Sequence, residues 1–319
     1  MGSITDVHGI QIGHSAHGKS LTGCTVVIAR NGVTAGIDVR GGAPGTHETD
    51  LLNPVNLVEK INAIYISGGS SFGLSGVSGV MKYLEEQGIG FDTGYAKVPI
   101  VPAAIIYDLD IGNPHVRPDA DMGYKACLNA SENNELQGNV GAGIGATVGK
   151  VRGIKFAMKG GLGMASKHIG QLVVAALVVV NALGDIVDPT SGSIIAGSLQ
   201  DDRQSFVNSE QYIINGPQVQ RQFKNTTIGV VATNATLSKA SATRIAIMSS
   251  DGLARAIRPS HTLFDGDTMF AVSTDEIKSD ITQIGTIAQE LVAEAIINAI
   301  VNAKSVSNVI SYQELRRQK

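Results

Sequence analysis

Apolar residues fall into two kinds of pattern along this chain. Almost wholly apolar runs occur at "TVVIA" (25–29), "AIYIS" (63–67), "PAAIIYDL" (102–109), "QLVVAALVVVNALGDIVD" (171–188), "IGVVATNA" (228–235) and "TMFAVST" (268–274). A strand with one wet face alternates, so uninterrupted runs of this length predict strands covered on both faces. Between them lie stretches with helical spacing. "SFGLSGVSGVMKYLEEQG" (71–88) stops at Gly88, a residue suited to closing a helix. "TLSKASATRIAIMSSDGLARAI" (236–257) offers Ser238 or Thr236 as N-cap. "SDITQIGTIAQELVAEAIINAIVNA" (279–303) has apolar residues at 281, 284, 287/288, 291/292 and 295/296, which predicts an amphipathic helix with one broad apolar face. Strands alternating with helices imply an α/β fold.

One segment breaks the rhythm. "GSLQDDRQSFVNSEQYIINGPQVQRQFKN" (197–225) is polar and Gln-rich, and predicts an exposed linker. Residues 226–319 supply only two or three strands and two helices, and those strands need partners upstream. The expectation is therefore a single domain over 1–319 whose chain is interrupted, not two domains.

Composition narrows this picture. The 319 residues are 43% hydrophobic with mean hydropathy +0.12, enough for a large core. Aromatics make up only 4% and Trp is absent, so Ala, Val, Ile and Gly must fill that core, with 38 Gly permitting close approaches. A net charge of −3 and a pI near 6.2 argue against a nucleic-acid or membrane-surface partner. Cys24 and Cys127 have neither metal-ligand spacing nor a disulfide framework. The N-terminus lacks the apolar region of a leader peptide, and no uninterrupted apolar run reaches the ~18 residues of a span, so a soluble, cytoplasmic protein is expected. Gly2 superficially resembles a myristoylation site, but Asp6 stands where that signal wants Ser or Thr.

Four stretches carry candidate chemistry. Gly69-Ser70-Ser71-Phe72-Gly73 has the form of a G-x-S-x-G nucleophile elbow between a strand and a helix, which would make Ser71 the nucleophile of an α/β-hydrolase-type esterase. No HGGG-type motif precedes it, and a glycine-rich turn at a helix start is the plainer reading. Gly141, Gly143 and Ala146 have G-x-G-x-x-A spacing, ending in Lys150, but a polar loop stands where a dinucleotide fingerprint needs a strand. A nucleotide-binding protein using Gly141–Lys150 is the corresponding alternative. Asp265 and Asp267 flank Gly266: either a solvated turn or a carboxylate pair for acid–base work around an amine, with His261 structural. No HExxH and no EF-hand loop is present, so no metal is expected.

The fourth stretch is "KNTTIGVVATNA" (224–235), where Asn225, Thr226 and Thr227 stand between the polar segment and a strand. A threonine hydroxyl needs an adjacent base, and breaking the bond before Thr226 would make its own α-amine that base. The hydroxyl can break that bond itself, by an N-to-O acyl shift at the Asn225 carbonyl. A flexible segment before the nucleophile and a rigid strand after it suit such a step. On these residues alone a turn entering a strand explains the junction equally well.

Taken together, "ITDVHGIQIGHS", "DVRGGAPGTHETDLL", "ISGGSSFGL", "PAAIIYDL", "GAGIGATVGK", "NTTIGVVATNATLSKA" and "DGLARAIRPSHTLFDGDTMFAVST" resemble the family of L-aminopeptidase/D-esterases and β-aminopeptidases, which includes nylon-oligomer (6-aminohexanoate oligomer) endo-hydrolases. The resemblance covers residues 4 to about 303; "SVSNVISYQELRRQK" has no counterpart in it. It implies an N-terminal-nucleophile hydrolase with a layered αββα sandwich, cut between Asn225 and Thr226 into an α chain (1–225) and a β chain (226–319), and assembled as a homo-oligomer, a tetramer. It further implies Thr226 as nucleophile, Asp265 and Asp267 as supporting carboxylates, and Lys150, Asn181 and Tyr107 in the pocket, with Gly69 and Ser70 beside the substrate. Asn181 is expected to serve as an oxyanion-type donor. No cofactor is implied; the partner is a small peptide or oligoamide substrate. Thr226 with an Asp pair leans toward the nylon-oligomer branch, because the aminopeptidase branch has Ser as nucleophile, and Ser and Glu at the paired positions. A self-cleaving acyltransferase of the glutamate N-acetyltransferase kind remains a further alternative.

Overall fold

The computed structural model describes residues 2–216 and 225–318. Nine strands form one mixed sheet: β1 (Ile10–His17), β2 (Thr22–Val39), β3 (Thr46–His47), β4 (Lys60–Ser67), β5 (Ala103–Ile105), β6 (Gly161–Ile169), β7 (Leu172–Asn181), β8 (Thr226–Ala235) and β9 (Thr268–Ile277). Their order is β6-β7-β8-β9-β2-β4-β5-β3, with β1 paired to β2. The main helices are α1 (Val77–Glu86), α2 (Ala120–Leu128), α3 (Lys239–Ala256) and α4 (Ile281–Val301). β8 and β9 run parallel, and α3 is the crossover between them.

Side-chain alternation turns this sheet into two of four layers. One face of β7, β8 and β9 presents Leu177, Val179, Ile228, Val230 and Phe270 to a core shared with Val27, Ile64, Ile66 and Ala104 of β2, β4 and β5. The opposite face, with Ala176, Val178, Val231 and Met269, packs with Ile245, Leu253, Leu291 and Ile296 of α3 and α4. On the far side, Cys24, Val26, Ile28, Ala63 and Tyr65 pack against Val80 and Leu84 of α1 and Ala126 of α2. The layers run helix, sheet, sheet, helix, as expected. The two sheet layers are continuous through the long β2, whose first part pairs with β4 and whose last part pairs with β9. Its register slips between Ile28 and Val33, where Gly32 adopts φ +70°.

The scarcity of aromatics now has a structural meaning. A Cβ on Gly36 would lie 2.1 Å from the Thr243 nitrogen of α3, and one on Gly163 would lie 2.0 Å from the Ala295 oxygen of α4. The helices sit directly on sheet backbone, which larger residues would prevent.

Several sequence expectations need revision. The 102–109 run is a strand only over Ala103–Ile105, after which Tyr107 and Asp108 turn away. The 171–188 run divides into β7 and a short strand, Asp185–Val187, because the chain turns at Gly184, where a Cβ would meet the Pro259 oxygen at 2.3 Å. The 71–88 stretch begins as a 3₁₀ segment, Ser70–Gly76. Ser238, one of the two expected residues, does cap α3, and Asp280 caps α4; their side chains accept from Ser241 N and Gln283 N. α4 is long and apolar enough, by length and composition, to cross a membrane, with mean hydropathy 1.5 in its most apolar window. That departs from the expectation drawn from uninterrupted runs; here 61% of the window is buried against the sheet and α3. Within 197–225, Ser198, Leu199 and Ser209 are buried, so this part is not simply an exposed linker. Asp185 draws it in by accepting from Ser198 N, Ser209 N and Ser209 Oγ at 2.9, 2.6 and 2.6 Å. Residues 217–224 of the expected linker lie outside the described residues.

Candidate active site

β8 begins at Thr226, and all ten of its residues are buried between antiparallel β7 and parallel β9. Alternation places Thr226 in series with Ile228, Val230 and Ala232, on the face between the two sheet layers. Asn181 continues the series Leu177, Val179 on the same face, and stands directly opposite Thr226 in the β7–β8 register. A hydroxyl and an amide thus meet at the edge of the inter-sheet core, and Thr226 is only 4% exposed.

The Thr226 hydroxyl donates to the carbonyl oxygen of Asn225, the residue before it. The same oxygen accepts from Gly266 N at 2.9 Å. Gly266 lies in the loop entering β9, which is bridged to Asn225 through Asp265. A Cβ on Gly266 would approach Thr226 Oγ1 at 2.7 Å and Ala43 O at 2.8 Å, so glycine is required for this convergence.

The two carboxylates flank that glycine, and neither is a solvated turn residue: Asp265 is 2% and Asp267 3% exposed. Asp265 accepts from Leu183 N at 3.3 Å, and from Thr262 N at 3.2 Å and the Thr262 hydroxyl. Burial, and then the neighbouring Asp267 charge, push its carboxyl up to about 6, against the opposing pull of these bonds and of Lys150. Asp267 accepts from Thr227 N at 2.7 Å through Oδ1, and from His261 N and Nδ1 at 3.0 Å each through Oδ2. From the other side, Arg40 N and Gly41 N donate to the Asp267 carbonyl, and Ala43 N donates to that of Asp265.

A second group is built around Asn181. Lys150 Nζ donates to its side-chain oxygen at 2.9 Å and its carbonyl at 3.0 Å, while Thr147 N donates to the same side-chain oxygen at 3.0 Å. The Asn181 amide donates to the Tyr107 carbonyl at 3.0 Å. Burial, then the charges of Asp110 and Asp108, raise the Tyr107 hydroxyl pKa. Asp108, beside it, accepts from Gly69 N at 2.7 Å and Thr22 Oγ1 at 2.8 Å.

The structure therefore brings Asn225, Thr226, Asp265 and Asp267 together, sets Asn181 across the ladder, and ties Lys150 and Tyr107 to Asn181. Gly69 and Ser70 are one step further out: Gly69 bonds Asp108 and Ser70 N donates to Ile106 O. Ser71 is exposed within the 3₁₀ segment rather than at a sharp strand-to-helix elbow. The Gly141–Lys150 loop is closed from below by fully buried Lys159, whose Nζ donates to the carbonyls of Gly143, Ala146 and Gly160 at 3.0, 2.8 and 3.0 Å. Those carbonyls converge on an internal cation, an arrangement unlike a phosphate cradle of N–H groups. Three contributions were missed in the sequence: Gly266 as donor, the Arg40–Ala43 backbone as a brace, and His261 as partner of Asp267. "DVRGG" and the central glycine of Asp-Gly-Asp were the available signals.

Comparison with known proteins gives the class first. The fold matches the L-aminopeptidase D-Ala-esterase/amidase of Ochrobactrum anthropi, described as a variant of the Ntn-hydrolase fold, with TM-score 0.73 and 18% identity over 99% of this chain and 92% of that one. Residues 2–312 match peptidase family S58, and the chain belongs to that family. An uncharacterised aminopeptidase of Mycobacterium leprae is 39% identical, covering 98% of this chain and 93% of its own length. A 6-aminohexanoate-oligomer endohydrolase of Kocuria sp. (strain KY2) is 32% identical, covering 92% and 84%. The chain is a hydrolase of amide bonds.

Proposed function

We propose that this hydrolase processes itself between Asn225 and Thr226 and then uses Thr226 as its nucleophile. The observation that carries the reading is the convergence on one peptide carbonyl: the Thr226 hydroxyl and the Gly266 N–H both bond the Asn225 oxygen. Attack by Oγ on the Asn225 carbonyl carbon forms a C–O bond, and the hydroxyl proton passes to the carboxylate pair. The negative charge that develops on the carbonyl oxygen falls on the Gly266 N–H. The C–N bond then breaks as the Thr226 nitrogen takes up a proton, leaving an ester. Water hydrolyses the ester to an Asn225 carboxylate and a free Thr226 amine.

That amine has a reference pKa of roughly 7.7–8.0, suited to accepting the hydroxyl proton near neutral pH. In the mature enzyme the substrate carbonyl takes the place vacated by Asn225. An acyl-enzyme forms on Thr226, the amine product leaves, and water releases the acid. Asn181, held by Lys150 and aligned with Thr226, orients this site. Two buried carboxylates favour substrates with a free ammonium group: short peptides, β-peptides or aminohexanoate oligomers. The name of the Kocuria relative supports the last. A cytoplasmic location and a homotetramer belong to the same proposal; cell fractionation and light scattering test them.

Intact mass under denaturing conditions tests the central step. The wild-type chain should give two fragments, the smaller beginning at Thr226, and Thr226→Ala should remain one 33.2 kDa species without amidase activity. A Thr226→Ala protein that still cuts itself and hydrolyses amides would refute the reading.

A further inference from the structure

We propose that His261 is a positioning residue for Thr226: it clamps the Asp267 carboxyl on the Thr227 N–H and lends its charge to the carboxylate pair. This rests on Thr226 being the nucleophile. His261 adopts φ +56°, a conformation side chains other than glycine rarely take. In that conformation its N–H and Nδ1 reach the same oxygen, Asp267 Oδ2, at 3.0 Å each. The other oxygen of Asp267 accepts from Thr227 N at 2.7 Å. His261 is therefore connected to the nucleophile through one carboxylate and one peptide.

Two adjacent buried carboxylates do not both ionise without a compensating charge. The surroundings supply that charge from two sides. Lys150 acts on Asp265, whereas His261 touches Asp267. Arg40 also faces the imidazole, but its guanidinium bonds Asp38 at 2.7 Å and Asp251 at 3.4 Å. The backbone of Ser250, on α3, lies on the remaining side. Burial, and to a lesser degree the Arg40 charge, lower the His261 pKa, but the hydrogen bond to Asp267, the Asp267 charge and the Ser250 backbone together raise it overall. The imidazolium is thus fully present below the ordinary histidine range and is lost as pH rises through the raised value.

The test follows self-cleavage of cell-free-synthesised chains by intact mass from pH 5 to 9, with melting curves, for wild type, His261→Ala, His261→Asn and Thr226→Ala. His261→Ala should slow cleavage by up to about 100-fold, as expected for a displaced nucleophile, and move the acid limb of the rate profile to higher pH. Asparagine tolerates positive φ and retains a donor near Nδ1 without the charge. His261→Asn should therefore recover part of the neutral-pH rate while the acid limb stays shifted. A folded His261→Ala with the wild-type rate, or a slower one with an unmoved limb in both variants, overturns the proposal. Cleavage by Thr226→Ala would instead overturn the underlying reading, whatever His261 does.

Discussion

Replacing Gly266 by alanine probes the convergence on the Asn225 carbonyl with a single methyl group. The glycine is outside the left-handed region, so alanine carries no backbone strain there and the cost is contact alone. The new Cβ would lie 2.7 Å from Thr226 Oγ1 and 2.8 Å from Ala43 O. The Ala43 carbonyl is backbone, and its own N–H is fixed on Asp265 O at 2.8 Å, so the hydroxyl is the softer neighbour. Ordinary contact begins near 3.4 Å, which asks Thr226 Oγ1 or the loop to move by about 0.7 Å. Overpacking of this kind costs about 1–3 kcal/mol of stability, while a nucleophile misplaced by about 1 Å loses about 100-fold in rate.

Gly266→Ala should therefore cut itself about 10- to 100-fold more slowly while still melting cooperatively, a few degrees below wild type. Time-resolved intact mass gives the rate, and calorimetry on the uncut fraction gives the stability. Gly153→Ala is the matched control. Gly153 has φ +85° and ψ 172°, with nothing within 4 Å of its missing Cβ, so its alanine variant should lose about 1–3 kcal/mol through strain alone and cut at the wild-type rate. If Gly266→Ala cleaves as fast as wild type, the hydroxyl is not held where the geometry places it.

Asp265→Asn should separate the cost of the carboxylate from its use. The Asp265 pKa is raised to about 6, so the carboxyl favours the fold when protonated, fully so below the ordinary aspartate range, and that advantage is lost as pH rises through about 6. Relative to wild type, Asp265→Asn should therefore gain roughly 2 kcal/mol in stability between about pH 4.5 and pH 8, while self-cleavage falls at all pH values. Urea melts at the two pH values check this, and an unchanged difference would refute the assignment. Lys159→Met removes the side chain that bonds the carbonyls of Gly143 and Ala146 in the glycine-rich turn and of Gly160 next to Lys159 itself. Ala146 N and Gly160 N still serve the first two carbonyls, so the variant should cost roughly 1–3 kcal/mol, read as a lower urea midpoint; an unchanged midpoint would show that these backbone donors suffice.

The layered fold was legible because its cause is local. β7 reads as an unbroken apolar run since Ala176 and Val178 meet helices while Leu177 and Val179 meet the other sheet layer. β8 and β9 follow the same logic, and the spacing of α4 announced the face that covers them. What a linear pattern does not encode is the continuity of the two layers through β2. That depends on which neighbour each half of an 18-residue strand pairs with, and a slip between Ile28 and Val33 leaves no apolar signature. The split of the 171–188 run was equally hidden, because the crowding at Gly184 comes from Pro259, far along the chain.

The site divides along the same line. Thr226 and the Asp pair were found as residue types with a chemistry, and the family resemblance added Lys150, Asn181 and Tyr107. None of these could reveal that the donor meeting the Asn225 carbonyl is a backbone N–H, since a peptide nitrogen has no signature beyond its residue. Gly266 was visible only as the space between two aspartates. His261 was set aside as structural because nothing in "RPSHTLFDGDT" says that its ring and its N–H reach one oxygen of Asp267. Here the sequence supplies the reactive groups, whereas register supplies their alignment. β7 sets Asn181 opposite Thr226, and parallel pairing brings Asp265 level with Asn225. A one-residue slip in either ladder would turn Thr226 toward the helices and leave the carboxylates facing a different peptide. The many buried, close-packed residues of β7, β8 and β9 therefore hold the register on which the chemistry at the strand's first residue depends.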